Sequence, residues 1–105
     1  MVKKPGEVYR VRYTPEATGR IRKLHPDIKK QIRAAAYRLA QSPLEGYALQ
    51  AELSGLRSYR VGRYRVIYRI NDAERAIEVL LAGPRRDIYE ELRKSLLRDR
   101  SRGGG

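Results

Sequence analysis

Five arginines fall in a stretch of the chain that contains no acidic residue. The stretch runs between Glu52 and Asp72, and its arginines are Arg57, Arg60, Arg63, Arg65 and Arg69. A guanidinium group can bind two oxygens of one phosphate with parallel hydrogen bonds, which the point charge of a lysine cannot do. The lack of carboxylates in this stretch therefore indicates a surface that binds phosphate.

The same stretch is predicted to form a β-hairpin. Apolar and basic residues alternate on both sides of Gly62 and Arg63, and Gly at the first central position is typical of a type II′ turn. That turn places Arg60 opposite Arg65 on one face, together with Arg69. Like charges so placed destabilise a sheet, so we expect this face to meet an anion. The hairpin tyrosines have the opposite parity and are expected to face the core: Tyr59, Tyr64 and Tyr68.

The composition restricts the kind of partner. The chain has 105 residues, enough for one domain, and a formal charge of +12. Such a charge favours nucleic acid, an anionic membrane or an acidic protein. Genome composition or thermophily could also raise the arginine content, but neither explains a stretch without acidic residues.

Several classes of site are excluded by residues that the sequence lacks. It has no cysteine, which excludes a thiolate metal site and a thiol nucleophile and suits a cytoplasmic protein. Because His25 is the single histidine, one chain cannot supply a two-histidine acid–base pair. The sequence has no P-loop or dinucleotide-binding motif and no apolar run of membrane-spanning length. We therefore expect no cofactor, no metal and no membrane partner.

Local signals predict the element order β-α-α-β-β-β-α, an α+β fold. A strand over 8–13 is followed by a helix that Thr14 caps, and a second helix begins at Pro26 after His25, which is expected to cap it or to lie at the surface. These helices should form a hairpin on one face of a small antiparallel sheet. After the arginine hairpin, a nearly continuous apolar strand over 76–82 is expected to be central.

The end of the chain is predicted to be a helix and a tail. Gly83 and Pro84 should end the central strand, and Asp87 can cap a last helix. We assign residues 1–98 to a single domain and residues 99–105 to a disordered basic, glycine-rich tail.

Two segments of the sequence resemble the RelE/ParE superfamily of toxins from type II toxin–antitoxin systems. They are the segment from Leu53 to Ile70, which holds the arginine hairpin, and the segment from Leu81 to Tyr89. The predicted element order agrees over nearly the whole chain. In the RelE branch, the resemblance implies a ribosome-dependent endonuclease that cuts messenger RNA, with a ribose 2′-hydroxyl attacking the adjacent phosphate.

The resemblance also implies roles for single residues. Arg65 matches the arginine that contacts the scissile phosphate, and Arg60 matches a basic position on the preceding strand. Arg85 matches the arginine after the last strand, with Arg86 as the alternative. Tyr89 matches a tyrosine that stacks on a base or takes part in proton transfer. The remaining arginines are expected to contact RNA more generally: Arg57, Arg63, Arg69 and Arg86. Arg69 could instead be solvated or form an ion pair.

One position departs from the family pattern. The RelE prototype has two lysines on the strand before the turn, and one of them is a candidate general base. Ser58 stands at the first of these positions and Arg60 at the second. Arginine stays protonated, so it is a poor base. The base role therefore falls to Tyr89, or the active centre is weak.

Two other functions stay open at the level of sequence. The ParE branch inhibits DNA gyrase and does not depend on the C-terminal arginine and tyrosine, so the presence of Arg85, Arg86 and Tyr89 favours the RelE branch. A non-catalytic RNA-binding module is the third possibility. The expected partners are the ribosome, messenger RNA and a cognate antitoxin with an acidic or amphipathic segment that wraps the toxin.

Overall fold

The computed structural model describes the backbone of residues 8–103 and the side chains of residues 8–97. Its helices and strands are β1 (Arg10–Tyr13), α1 (Pro15–Arg22), α2 (Pro26–Gln41), β2 (Tyr47–Ala48), β3 (Arg57–Val61), β4 (Tyr64–Asn71), β5 (Ala76–Pro84) and α3 (Ile88–Gly103). Short 3-10 turns at Pro43–Glu45 and Ala51–Leu53 flank β2. No helix in this described part of the chain is long and apolar enough to cross a bilayer.

One five-stranded sheet organises the fold, in the order β1-β5-β4-β3-β2. β1 is parallel to β5 and the other neighbours are antiparallel. The predicted α+β fold is confirmed, its predicted elements occur in the predicted order, and β5 is an interior strand as expected. The expectation of an antiparallel sheet is wrong for β1, because no hairpin turn joins β1 to β5 and sets their relative direction. The two-residue strand β2 was missed, because so short a strand shows no alternation.

Three element boundaries differ from the prediction. The first strand begins at Arg10, not at residue 8, and β5 continues through Gly83 and Pro84. Proline is tolerated there because it is the last residue of the strand. Helix α3 extends to Gly103, beyond the predicted domain boundary at 98, while residues 104 and 105 of the predicted tail lie outside the described residues.

The register of the arginine hairpin is the one predicted. Arg60 lies opposite Arg65, and Ser58 lies opposite Ile67. Gly62 has φ of +60°, the left-handed value that the first central position of a type II′ turn requires. Arg60, Arg65 and Arg69 therefore project from one face of the sheet, which we call the arginine face.

The two faces of the sheet are covered by different helices. Tyr68 and Val66 are fully buried in a core cluster with residues of α1 and α2. This confirms that Tyr68 and Tyr59 face the core, with Tyr59 half-buried at its edge. On the arginine face, a second cluster packs Ile88 and Leu92 of α3 against Ile67 and Leu81, among others.

Buried side chains hold the loop of residues 43–47, which leads into β2. The Tyr68 hydroxyl donates to the Pro43 carbonyl at 2.6 Å and accepts from the Gly46 amide at 3.1 Å. Arg57 Nη2 donates to the Gly46 carbonyl at 2.6 Å. The backbone position of Tyr47 thus depends on the hydrogen bonds that Tyr68 and Arg57 make to this loop.

We expect Gly46→Ala to lower the free energy of unfolding by about 1–3 kcal/mol, as in other overpacked sites. A Cβ at Gly46 would lie 2.7 Å from the Tyr68 hydroxyl and 2.8 Å from the Ser58 carbonyl oxygen. Gly19→Ala is the control, because Gly19 is helical with open space around it, and should stabilise by roughly 0.5–1 kcal/mol. Urea unfolding measures both, and equal stability of the two variants would contradict the packing described here.

Candidate functional site

Arg65 is a nearly buried cation at the centre of the arginine face. It lies on β4, opposite Arg60 on β3 and Gly83 on β5, and only 7% of the residue is exposed. Its Nη1 donates to Ser58 Oγ at 3.3 Å, and its Cζ lies 5.3 Å from the centroid of the Tyr47 ring. Its Nε is buried and has no hydrogen-bond partner among the residues that the structure describes. The Arg65 guanidinium thus contacts two neutral groups, Ser58 and Tyr47, and keeps unused hydrogen-bonding capacity.

Ser58 joins Arg65 to Tyr89. The Ser58 hydroxyl lies 3.1 Å from the Tyr89 hydroxyl and is fully buried, so one oxygen contacts both predicted site residues. A hydroxyl can accept a hydrogen bond from a guanidinium while donating one to a phenol. Sequence reasoning assigned Ser58 no role in the site and noted only that it stands where the family prototype has a lysine. Its place opposite Ile67, on the same face as Arg65, could have identified it as a site residue.

Four further arginines line an open cleft beside this group. The cleft has a volume of about 530 Å³, and its charged lining residues are Arg60, Arg63, Arg85 and Arg86. The Arg85 amide donates to the Arg63 carbonyl at 2.9 Å, which ties the turn after β5 to the hairpin turn. Arginines from two distant parts of the sequence therefore meet in one cleft. Concentrated charge of one sign in a cleft attracts an anion.

Two of the arginines predicted to contact RNA, Arg57 and Arg69, do not line this cleft. Arg57 pairs with Tyr68 across the hairpin, so it projects from the face opposite to Arg65. Its guanidinium holds the 43–47 loop, with hydrogen bonds to the Leu44 and Gly46 carbonyls. Arg69 lies on the arginine face, but its Nε donates to Glu78 at 2.7 Å. Both side chains therefore make contacts within the protein that support the fold.

The four cleft arginines and Arg65 lack a carboxylate partner within the described residues, since none of the ion pairs there includes them. The same part of the chain contains no cluster of His, Cys, Asp or Glu suited to a metal ion. The site therefore offers cationic donors, the Ser58 hydroxyl and the phenols of Tyr89 and Tyr47. These groups can bind a phosphate and transfer a proton.

The ion pair of Glu78 on β5 with Arg69 on the arginine face makes the stability of the fold depend on pH. The hydrogen bond from Arg69 lowers the pKa of Glu78, with further contributions from Asn71 and Arg12. A carboxylate with a lowered pKa in the folded state stabilises the fold above its unfolded pKa, about 4.3 for glutamate. That contribution is lost as the pH falls from there through the lowered pKa of the folded state.

We therefore expect Glu78→Gln to destabilise the protein near pH 7 and to have a smaller effect as the pH falls below about 4. Arg69→Gln should flatten the acid limb of the same profile, because Arg69 is the largest cause of the shift. Denaturant unfolding at a series of pH values measures both. A difference between wild type and Glu78→Gln that does not change with pH would contradict the ion-pair assignment.

Comparison with known proteins identifies the family. The family model described as the ParE toxin of a type II toxin–antitoxin system, parDE, matches residues 11–89. The chain belongs to the RelE/ParE superfamily of type II toxins. It is 39% identical over 83 residues to Toxin RelG of Mycobacterium tuberculosis, a match that covers 77% of this chain and 95% of that protein.

Solved structures of the superfamily share the fold. The RelBE2 toxin–antitoxin complex of Mycobacterium tuberculosis matches with a TM-score of 0.71 and 36% identity, covering 74% of this chain and 99% of the other. The archaeal RelE–RelB complex of Pyrococcus horikoshii matches with a TM-score of 0.61 and 24% identity, covering 74% and 96%. At that identity, the second likeness shows the fold alone.

Proposed function

We propose that this toxin cuts messenger RNA on the ribosome. The ribose 2′-hydroxyl attacks the adjacent phosphate, which leaves a 2′,3′-cyclic phosphate and a free 5′-hydroxyl. The observation that carries the proposal is the contact of Ser58 with both Arg65 and Tyr89, next to a cleft lined by four arginines. Relatedness to Toxin RelG supports the RelE branch.

Arg65, with Arg60 and Arg85, stabilises the charge that develops on the phosphate. Attack by the 2′-hydroxyl gives a pentavalent phosphorane with more negative charge than the substrate. Donors held in place where water is scarce stabilise such charge most strongly, because they need no reorganisation during the reaction. Arg65 meets this condition, since it is nearly buried and is held by Ser58 and Tyr47.

Tyr89 takes part in proton transfer. The 2′-hydroxyl must lose a proton and the leaving 5′-oxygen must gain one. Arginine is a poor base, so a hydroxyl group beside Arg65 must move the protons, and the Tyr89 phenol is the one that Ser58 holds. The phenol oxygen accepts the proton of the 2′-hydroxyl while the phenol donates its own proton to the leaving 5′-oxygen, so that no proton is gained or lost. The 3.1 Å contact with Ser58 fixes the phenol oxygen for this exchange.

Inhibition of DNA gyrase is the second function to test. Two observations favour it: the matching family model is named for ParE, and neither of the prototype's two lysines, one of which is its candidate base, is kept at Ser58 and Arg60. In that function the Tyr89 hydroxyl has no chemical role. The contacts of Ser58 with Tyr89 and with Arg65 favour RNA cleavage.

A cognate antitoxin is the proposed protein partner. The Mycobacterium tuberculosis and Pyrococcus horikoshii neighbours are toxin–antitoxin complexes. An acidic segment could bring carboxylates to Arg60, Arg65 or Arg85. An apolar segment that displaces α3 would instead have to replace Ile88 and Leu92, whose removal uncovers the second core cluster. It would also break the contact of Arg20 with Glu91, and Ser95 would lose its hydrogen bonds to Glu16.

We expect Arg65→Ala or Arg85→Ala to lower messenger RNA cleavage by roughly 100- to 1000-fold, the usual cost of removing one preorganised donor. Arg65→Lys should recover only part of the loss, since lysine lacks the bidentate fork. Cleavage is measured in a purified translation system. Arg22→Ala, on the outer surface of α1, is the matched control and should cleave like wild type.

Urea unfolding must accompany this assay, because Arg65 is nearly buried and its truncation leaves a cavity. Full cleavage by a folded Arg65→Ala, Arg85→Ala double variant would contradict the assignment. Failure of wild type to cleave, together with inhibition of DNA supercoiling by gyrase, would establish the second function instead.

A further inference from the structure

Tyr47 is an exposed aromatic ring beside the most buried arginine of the site. It is 53% exposed, whereas Arg65 is 7% exposed. The 5.3 Å between Arg65 Cζ and the ring centroid is within the range of a cation–π contact, about 6 Å. Tyr47 belongs to neither core cluster of the described residues, so packing in the core does not account for it.

The backbone at Tyr47 is held in place by residues of β3 and β4. Tyr47 pairs with Ser58 in the β2–β3 ladder, and the preceding loop is held by the Tyr68 hydroxyl and the Arg57 guanidinium. Gly46 leaves no room for a Cβ. An exposed ring with so firmly held a backbone is preorganised for contact with a ligand, because little freedom is lost on binding.

We propose that Tyr47 binds RNA by stacking on the base of a nucleotide whose phosphate contacts Arg65. This inference rests on the proposed function and adds a residue that contacts a base of the substrate, whereas the arginines contact its phosphates. The two side chains are in contact, so a phosphate at Arg65 brings its attached base close to Tyr47. Tyr59 and Tyr68 cannot serve instead, because they pack in the core on the opposite side of the sheet. Stacking on an aromatic ring accepts any base, which suits a single-stranded RNA.

The test compares two non-cleavable oligonucleotides, a 2′-O-methyl RNA and the same backbone without bases. At low ionic strength a chain of charge +12 should bind both. We expect wild type to prefer the RNA with bases by about 10-fold or more in Kd. Tyr47→Phe should keep this preference, because the ring is retained, and Tyr47→Leu should lose it. Tyr37→Leu is the matched control, since Tyr37 is 69% exposed on α2, and it should behave like wild type.

Three results would overturn the proposal. They are a wild type that binds no RNA or shows no preference for bases, a folded Tyr47→Leu that keeps the preference, and a Tyr47→Leu that binds both oligonucleotides equally less tightly. In the last case Tyr47 only supports Arg65. Because these oligonucleotides cannot be cleaved, the result does not depend on the cleavage assay, and either proposal can fail without the other.

Discussion

A guanidinium buried without a carboxylate partner is the constraint on which the rest of this structure depends. Removing a charge from water is costly unless hydrogen bonds or an opposite charge compensate for it. Within the described residues, the burial of Arg65 is compensated by two neutral groups, the Ser58 hydroxyl and the Tyr47 ring, and its Nε has no hydrogen-bond partner there. Such an arrangement leaves the positive charge available to a phosphate, and the fold must supply the rigidity that keeps Arg65 in place.

The supports of Arg65 come from three parts of the chain. The arginine hairpin supplies Ser58 and Arg65 itself, α3 supplies Tyr89, and the loop held by Tyr68 and Arg57 supplies Tyr47. Helix α3 has a double role, since Ile88 closes the second core cluster while Tyr89 reaches Ser58. A partner that moves α3 would therefore change both stability and the site.

Sequence reasoning predicted most of the fold because the local signals were strong. The Gly62 turn determined the hairpin register, and Thr14 and His25 were recognised as helix caps, which the structure confirms by bonds to the Ala17 and Asp27 amides. The register also placed Arg60 and Arg65 on one face. A bulge opposite Ile67 and Tyr68, which inserts Leu80 in β5, was not visible, because both faces of that strand are apolar.

The parts that sequence could not supply are contacts between distant residues. Glu78 on β5 pairs with Arg69 on β4, although the stretch that contains Arg69, from Leu53 to Asn71, lacks acidic residues. Arg57 belongs to the same stretch but is turned to the other face by strand parity. Ser58 and Tyr89 are 31 positions apart, and only the packing of α3 on the sheet shows that they share a hydrogen bond. The composition of the stretch predicted a phosphate site, and the tertiary structure shows which arginines lie together.

The central claim is that the RNA's own 2′-hydroxyl is the nucleophile at this site. It is tested most directly with translating ribosomes that carry a messenger RNA with one 2′-deoxy nucleotide at the mapped cleavage position. We expect the unmodified message to give a 2′,3′-cyclic phosphate and a 5′-hydroxyl. The deoxy substitution should abolish cleavage at that bond. Cleavage of the deoxy message at the same bond would contradict it.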